Sequence, residues 1–186
     1  GLIQPAHESI DRDPGIHYVR GDASQPRTSG PAIIAHIVND GALRWGGHGF
    51  SRALVDAYRE AADEYANWDT ADRHFGEVHF ASAGPALWIA SLLAQRGFGP
   101  TRTREPRVRV RALRQGLQEL ADRAVSVGAE VHMPLIATGQ GGMTWPAVRD
   151  LILEELAQRH VPVTVYLLPD APAPEDVSEA DQLALF

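Results

Sequence analysis

Ala32-Ile33-Ile34-Ala35-His36-Ile37-Val38 runs into Asn39-Asp40-Gly41 and then, past Ala42-Leu43-Arg44-Trp45, into Gly46-Gly47-His48-Gly49-Phe50. An unbroken apolar run of this length reads as a strand buried on both faces, as in a parallel sheet covered by helices. Asn39-Asp40-Gly41 breaks it. From Phe50 the period changes. Phe50, Leu54, Tyr58, Ala61, Ala62 and Tyr65 share one helical face, while Arg52, Asp56, Arg59, Glu60 and Asp63 point away from it. Strand, glycine-rich loop and helix form the unit that decides the fold.

The same reading extends outward. Residues 16–19 predict a short strand stopped by Gly21-Asp22, and 78–81 and 87–93 predict two strands around the turn Gly84-Pro85. Residues 108–125 form an amphipathic helix ended by Gly128. A strand over 130–136, a second glycine-rich loop over 138–143 and a helix over 145–160 with Pro146 in its first turn follow. Residues 162–168 are a last β-branched strand. Strands alternating with helices predict an α/β fold: a three-layer α/β/α domain with a central mixed, mostly parallel sheet. Its expected extent is 16–168, with an N-terminal arm over 1–15 and an acidic flexible tail over 169–186. The 186 residues suit one domain.

Composition removes several chemistries. There is no cysteine, hence no disulfide, thiolate metal site or Cys nucleophile. All 17 basic residues are arginine, which excludes a lysyl nucleophile. The eight histidines are scattered, with no ligand pair at helical spacing, so no metal and no cofactor is expected. No apolar run is long enough to cross a membrane. Gly1-Leu2-Ile3-Gln4-Pro5 lacks a signal peptide's basic start and apolar stretch, so the expected location is cytoplasmic. The net charge of −7 is concentrated in the tail: without Asp170, Glu175, Asp176, Glu179 and Asp181, 19 acids face 17 arginines.

Both glycine-rich loops follow strands, where open α/β sheets bind ligands. Glycines bring bare N–H groups close to a ligand, and each loop feeds the positive end of a helix. Two such loops at neighbouring strand ends can grip a pyrophosphate from both sides. Neither is a Walker A loop, since no Gly-Lys-Ser/Thr follows, and neither fits the dinucleotide fingerprint. The alternative reading is a pair of tight strand-to-helix turns.

Tyr18-Val19-Arg20-Gly21-Asp22, Ile34-Ala35-His36-Ile37-Val38-Asn39-Asp40, Trp45-Gly46-Gly47-His48-Gly49-Phe50, His132-Met133-Pro134-Leu135-Ile136-Ala137-Thr138-Gly139 and Val163-Thr164-Val165-Tyr166 resemble, in this order, the signatures of macrodomains. The resemblance is to the branch of terminal ADP-ribose glycohydrolases and ADP-ribose-1″-phosphate phosphatases. It implies ADP-ribose, or ADP-ribosylated protein or nucleic acid, as the partner. Asp22, with Ala23 beside it, would meet the adenine, and Asn39 the distal ribose. Trp45, Gly46, Gly47, Gly49 and Phe50 would wrap the distal ribose and diphosphate. Thr138, Gly139, Gln140, Gly141, Gly142 and Met143 would cradle the diphosphate, and Tyr166 or Leu167 would pack near the adenine. For Asp22 the alternative is a turn acid, and for Tyr166 a core aromatic.

The chain departs from that branch where its chemistry lies. The branch implies a Lys in or just after the first helix and an Asp in the second loop; here there is no Lys, and Gly141 stands at the Asp position. Another hydrolase branch implies an Asp after the first glycine run, where this chain has Ser51. The remaining catalytic candidates are His48, in the glycine loop and of a type that titrates near pH ~6.5, Asp40, able to orient a water or ribose hydroxyls, and His36, whose alternative is a satisfied core histidine. The expected activity is removal of ADP-ribose by hydrolysis. A non-catalytic ADP-ribose reader and an ADP-ribose-1″-phosphate phosphatase are the alternatives.

Two features stand apart. Arg102, Arg104, Arg107, Arg109, Arg111 and Arg114 form a basic cluster, either a nucleic-acid contact or a solvated face offset by nearby acids. Gln182-Leu183-Ala184-Leu185-Phe186 resembles the peptide by which bacterial repair and replication proteins dock on the sliding clamp, with Gln182, Leu183, Leu185 and Phe186 as contacts.

Overall fold

The computed structural model describes residues 15–100 and 104–174. The expected arm, apart from Gly15, lies outside them. So does the clamp-like peptide 182–186. Six strands form one sheet: β1 (Ile16–Arg20), β2 (Ala32–Asn39), β3 (Val78–Gly84), β4 (Leu87–Gln95), β5 (Glu130–Met133) and β6 (Val163–Leu167). Their order is β1-β6-β5-β2-β4-β3. All pairs are parallel except the β3–β4 hairpin. This is the expected mixed, mostly parallel sheet. Among the described residues no helix is long and apolar enough to cross a membrane.

Side-chain alternation along the strands divides the core into two layers. Ile33, Ala35, Ala90 and Leu92 face α3 (Val110–Val127) and α4 (Trp145–Glu155). Ile34, Val38, Ile89 and Leu93 face α1 (Gly49–Ala57) and α2 (Arg59–Ala66). Burying a Leu or Ile fully contributes about 1.5–3 kcal/mol, and α3 alone inserts Leu113, Leu117 and Leu120. Gly116 brings that helix close to β4: a Cβ there would stand 3.1 Å from the Leu92 side chain.

Four boundaries differ from the sequence reading. The single helix predicted over 50–65 is two, because Tyr58 leaves the helical region at φ −138° and ψ 66° while its hydroxyl donates to the Ser24 carbonyl at 2.6 Å. The strand predicted over 130–136 ends at Met133, one residue before Pro134, which has no N–H for a sheet bond. The helix predicted to reach 160 ends at Glu155, and a 3-10 turn, Ala157–Arg159, follows. The tail does not start loose at 169. Arg20 Nη1 donates to the Leu168 and Ala171 carbonyls at 2.7 and 2.6 Å, and Ala173 packs on the core.

Candidate functional site

The parallel arrangement brings the C-terminal ends of β2 and β5 side by side. The two glycine loops therefore meet there, around a cleft of about 250 Å³. His36, Ile37, His48, Phe50 and Ser51 come from the first strand–loop–helix unit. Pro134 to Ala137, with Gly139, Gln140 and Gly141, form the facing wall. Of the expected site residues, His36, His48, Phe50, Gly139, Gln140 and Gly141 are thus in one place.

The two loops are built differently. Gly141 is buried, and a Cβ on it would lie 2.5 Å from the Ala137 carbonyl oxygen and 2.7 Å from Val108 Cγ2. No side chain fits, so the position where the resembling branch implies Asp is closed by packing. Ala137 holds a left-handed φ of 66°, its carbonyl accepts from Met143 N–H at 3.0 Å, and Thr138 Oγ1 donates to Leu135 O at 2.9 Å. Gly142, at φ +79°, has the same left-handed turn and abuts Pro106. Loop one is open by contrast: among the described residues a Cβ on Gly46 or Gly47 would meet nothing within 4 Å, and at Gly49 only the left-handed φ of +65° calls for glycine. His48 is the N-cap residue of α1, exposed, and its ring makes no capping bond.

Trp45 anchors loop one. It is buried, stacks on Tyr65 with ring centroids 5.6 Å apart, and donates from Nε1 to Ser91 Oγ at 3.1 Å. Ser91 Oγ also meets His36 Nε2 at 2.6 Å. Burial lowers the pKa of His36 to about 3, so the ring is neutral.

Several expected residues serve the framework. Asp40 is not in the cleft wall; its Oδ1 accepts from Gly97 N–H at 2.8 Å. Asn39 Oδ1 accepts from Gly41 N–H at 2.9 Å, an Asx turn that closes the strand. Tyr166 is buried against Val19 and Ala23, with Phe50 packed on the same cluster. Its hydroxyl accepts from Arg27 N–H at 2.8 Å and reaches His132 Nδ1 at 2.8 Å, and His132 Nε2 meets Glu130 at 2.9 Å. Asp22 is exposed, with Oδ1 bonded to Ser24 N and Oγ at 2.9 and 2.8 Å. Among the described residues that leaves Oδ2 for another donor.

A third loop was not anticipated. Arg96-Gly97-Phe98-Gly99 follows β4, and Gln95 at its root lines the cleft. Gly97 is tied to Asp40, and Gly99 N–H to Gln140 Oε1 at 2.9 Å, so this loop braces both glycine loops. The paired glycines after an apolar run were its signal. The arginine cluster is largely spent on the fold. Arg107 donates to the carbonyls of Arg96, Gly99 and Pro100, Arg109 pairs with Glu105 at 2.6 Å, and Arg114 pairs with Glu154 and Glu155 at 2.7 and 2.8 Å. Arg102 lies outside the described residues.

These features define an α/β/α domain with a cleft walled by two glycine loops. No family model matches the sequence. A macrodomain protein from Streptomyces coelicolor is 37% identical, with a TM-score of 0.70 over 82% of this chain and 98% of that one. The chain belongs to the macrodomain family. Chromodomain-helicase-DNA-binding protein 1-like from Mus musculus is 30% identical over 176 residues, 90% of this chain but only 19% of that protein. The chain therefore spans about a fifth of the curated relative's length. The structure of Thermosipho africanus DarTG in complex with ADP-ribose matches with a TM-score of 0.59 at 17% identity, over 81% of this chain and 42% of that one, a likeness of fold alone.

Proposed function

We propose that this domain binds ADP-ribose in the cleft between its glycine loops and removes it from ADP-ribosylated protein or nucleic acid. The observation that carries the reading is the meeting of two N–H-rich loops at adjacent strand ends, one of them with two glycines, Gly46 and Gly47, that neither a positive φ nor a neighbour among the described residues requires. DarTG, of the same fold, holds ADP-ribose in the structure reported for it. The exposed Asp22 carboxylate would take the adenine amino group, and the second loop the diphosphate. His48 would be the acid–base group, since it lines the cleft and spends no side-chain bond on capping. Asp40 would keep the first and third loops in register beside it. A cytoplasmic setting and action in DNA repair belong to the same proposal.

A second reading is favoured by one observation. The chain has no lysine, and Gly141 has no room for a carboxylate. A domain that binds without cleaving would bring an attached partner to ADP-ribosylated targets. Calorimetry with ADP-ribose tests binding, and binding is expected in the micromolar range or tighter; no heat at millimolar ligand would end both readings. Single-turnover cleavage of ADP-ribosylated protein and DNA separates them, with ADP-ribose-1″-phosphate as a further substrate. Equal rates for wild type and His48→Ala would remove His48 from the chemistry.

A further inference from the structure

His36, Ser91 and Trp45 come from two strands and a loop, yet their side chains form one chain of polar contacts beneath the cleft. Register makes this possible: β2 and β4 run parallel with His36 opposite Ser91, and both side chains point to the α1–α2 layer, as Ile34, Val38, Ile89 and Leu93 do. The proton count then decides the tautomer. The indole N–H of Trp45 can only donate, so it occupies one lone pair of Ser91 Oγ. The hydroxyl has a single proton, and the neighbouring acceptor for it is Nε2 of His36 at 2.6 Å. That assignment puts the imidazole proton on Nδ1. The opposite assignment would leave the seryl proton without a partner in an apolar layer as well. Nδ1 of His36 is buried with no hydrogen-bond partner among the described residues, and His36 is part of the cleft wall.

We infer that His36 is a fixed neutral donor, held by Ser91 and Trp45, whose Nδ1–H positions the bound ligand through one of its oxygens and does not act as an acid or base. The ligand chemistry is a hydroxyl or phosphate oxygen facing a single uncharged N–H. The inference rests on the ADP-ribose reading. It differs from a catalytic reading of His36 in a checkable way: the lone pair a base would need is the one Ser91 occupies, and burial keeps the ring neutral.

The experiment combines imidazole nitrogen spectroscopy on the wild-type chain with calorimetry on three variants. The His36 ring is expected as the Nδ1–H tautomer, and its Nδ1 signal is expected to move when ADP-ribose binds. ADP serves as the second probe. A shift with both ligands assigns the acceptor to the diphosphate, and a shift with ADP-ribose alone assigns it to the distal ribose. H36Q keeps an acceptor for the Ser91 hydroxyl near Nε2 and loses the donor near Nδ1; its affinity for ADP-ribose is expected to fall about tenfold. H36N keeps an N–H near Nδ1 and is expected to recover most of that loss. S91A leaves His36 in place but frees its tautomer, and should fall between them, so the test survives if a His36 variant does not fold. An Nε2–H tautomer in the wild type, or ADP-ribose binding with Nδ1 unmoved and H36Q as tight as wild type, would overturn the inference while leaving the binding reading intact. A wild-type chain that gives no heat with ADP-ribose would instead remove the binding reading itself.

Discussion

The two glycine loops look alike in sequence and differ in what their glycines are for. In loop two, Gly141 is demanded by the protein, because Ala137 O and Val108 leave no space for a Cβ. In loop one, Gly46 and Gly47 lie exposed beside open space, and neither takes a positive φ. A glycine the fold does not need costs backbone entropy and returns nothing to stability. Its use then lies with whatever approaches from outside. Loop two is packed framework, and loop one is open surface, anchored by Trp45 and held at its edges by the Asp40–Gly97 and Leu43–Arg73 hydrogen bonds.

That contrast can be broken most directly at Gly141. Gly141→Asp places a carboxylate in loop two but must push the Ala137 carbonyl aside. The expected cost is about 3 kcal/mol, and the domain should melt about 6–12 °C lower in a thermal scan. An unchanged melting point would mean that loop two is as free as loop one.

Acid probes loop one's anchor. The folded pKa of His36, about 3, is below its unfolded value near ~6.5, so the unfolded chain binds the extra proton between these limits. Stability contributed by this group is complete above about pH 6.5 and falls as the pH drops toward 3. At pH 5 the loss is about 2 kcal/mol. His79, lowered by burial and by Arg73, adds in the same direction. Urea titrations at pH 7 and pH 5 measure it, and equal midpoints would contradict a neutral buried His36.

Gly47→Val should do the reverse of Gly141→Asp. Its melting point is expected to stay within about 2 °C of wild type, while ADP-ribose affinity falls about tenfold or more in calorimetry. Normal affinity would strip loop one of its assigned purpose. The smallest effect is expected at the brace between loops. Asp40→Ala releases Gly97 N–H to solvent and should cost about 1 kcal/mol or less in a denaturant titration.

The elements were legible wherever one residue type set the outcome. Apolar runs gave β2 and β4, and helical periodicity gave α3. The break at Tyr58 was not legible, because it depends on a hydroxyl reaching Ser24, a contact between distant parts of the chain. Pro134 did mark the early end of β5, yet the apolar residues beyond it, Leu135 and Ile136, masked the signal. At the site, both loops and their convergence followed from sequence. The roles of Asp40, Trp45 and Tyr166 did not. Each is a polar residue whose partner (Gly97, Ser91 or Arg27) is chosen by strand register and loop packing rather than by spacing along the chain. The purpose of Gly141 was hidden for the same reason: its neighbours are the Ala137 carbonyl and Val108, a residue ahead of α3 that is brought in by its bridge to Gln95.

Ala137 has a consequence for ligand affinity. An alanine in the left-handed region is strained, at a cost of order 1 kcal/mol, and stays there only because Met143 N–H and the surrounding turn hold it. Glycine at the same place would be comfortable and would wander among several conformations. The alanine narrows the ensemble before any ligand arrives. Folding has already met the entropy of ordering that wall of the cleft, so the binding step does not, and a ligand of modest size can be held with correspondingly less contact.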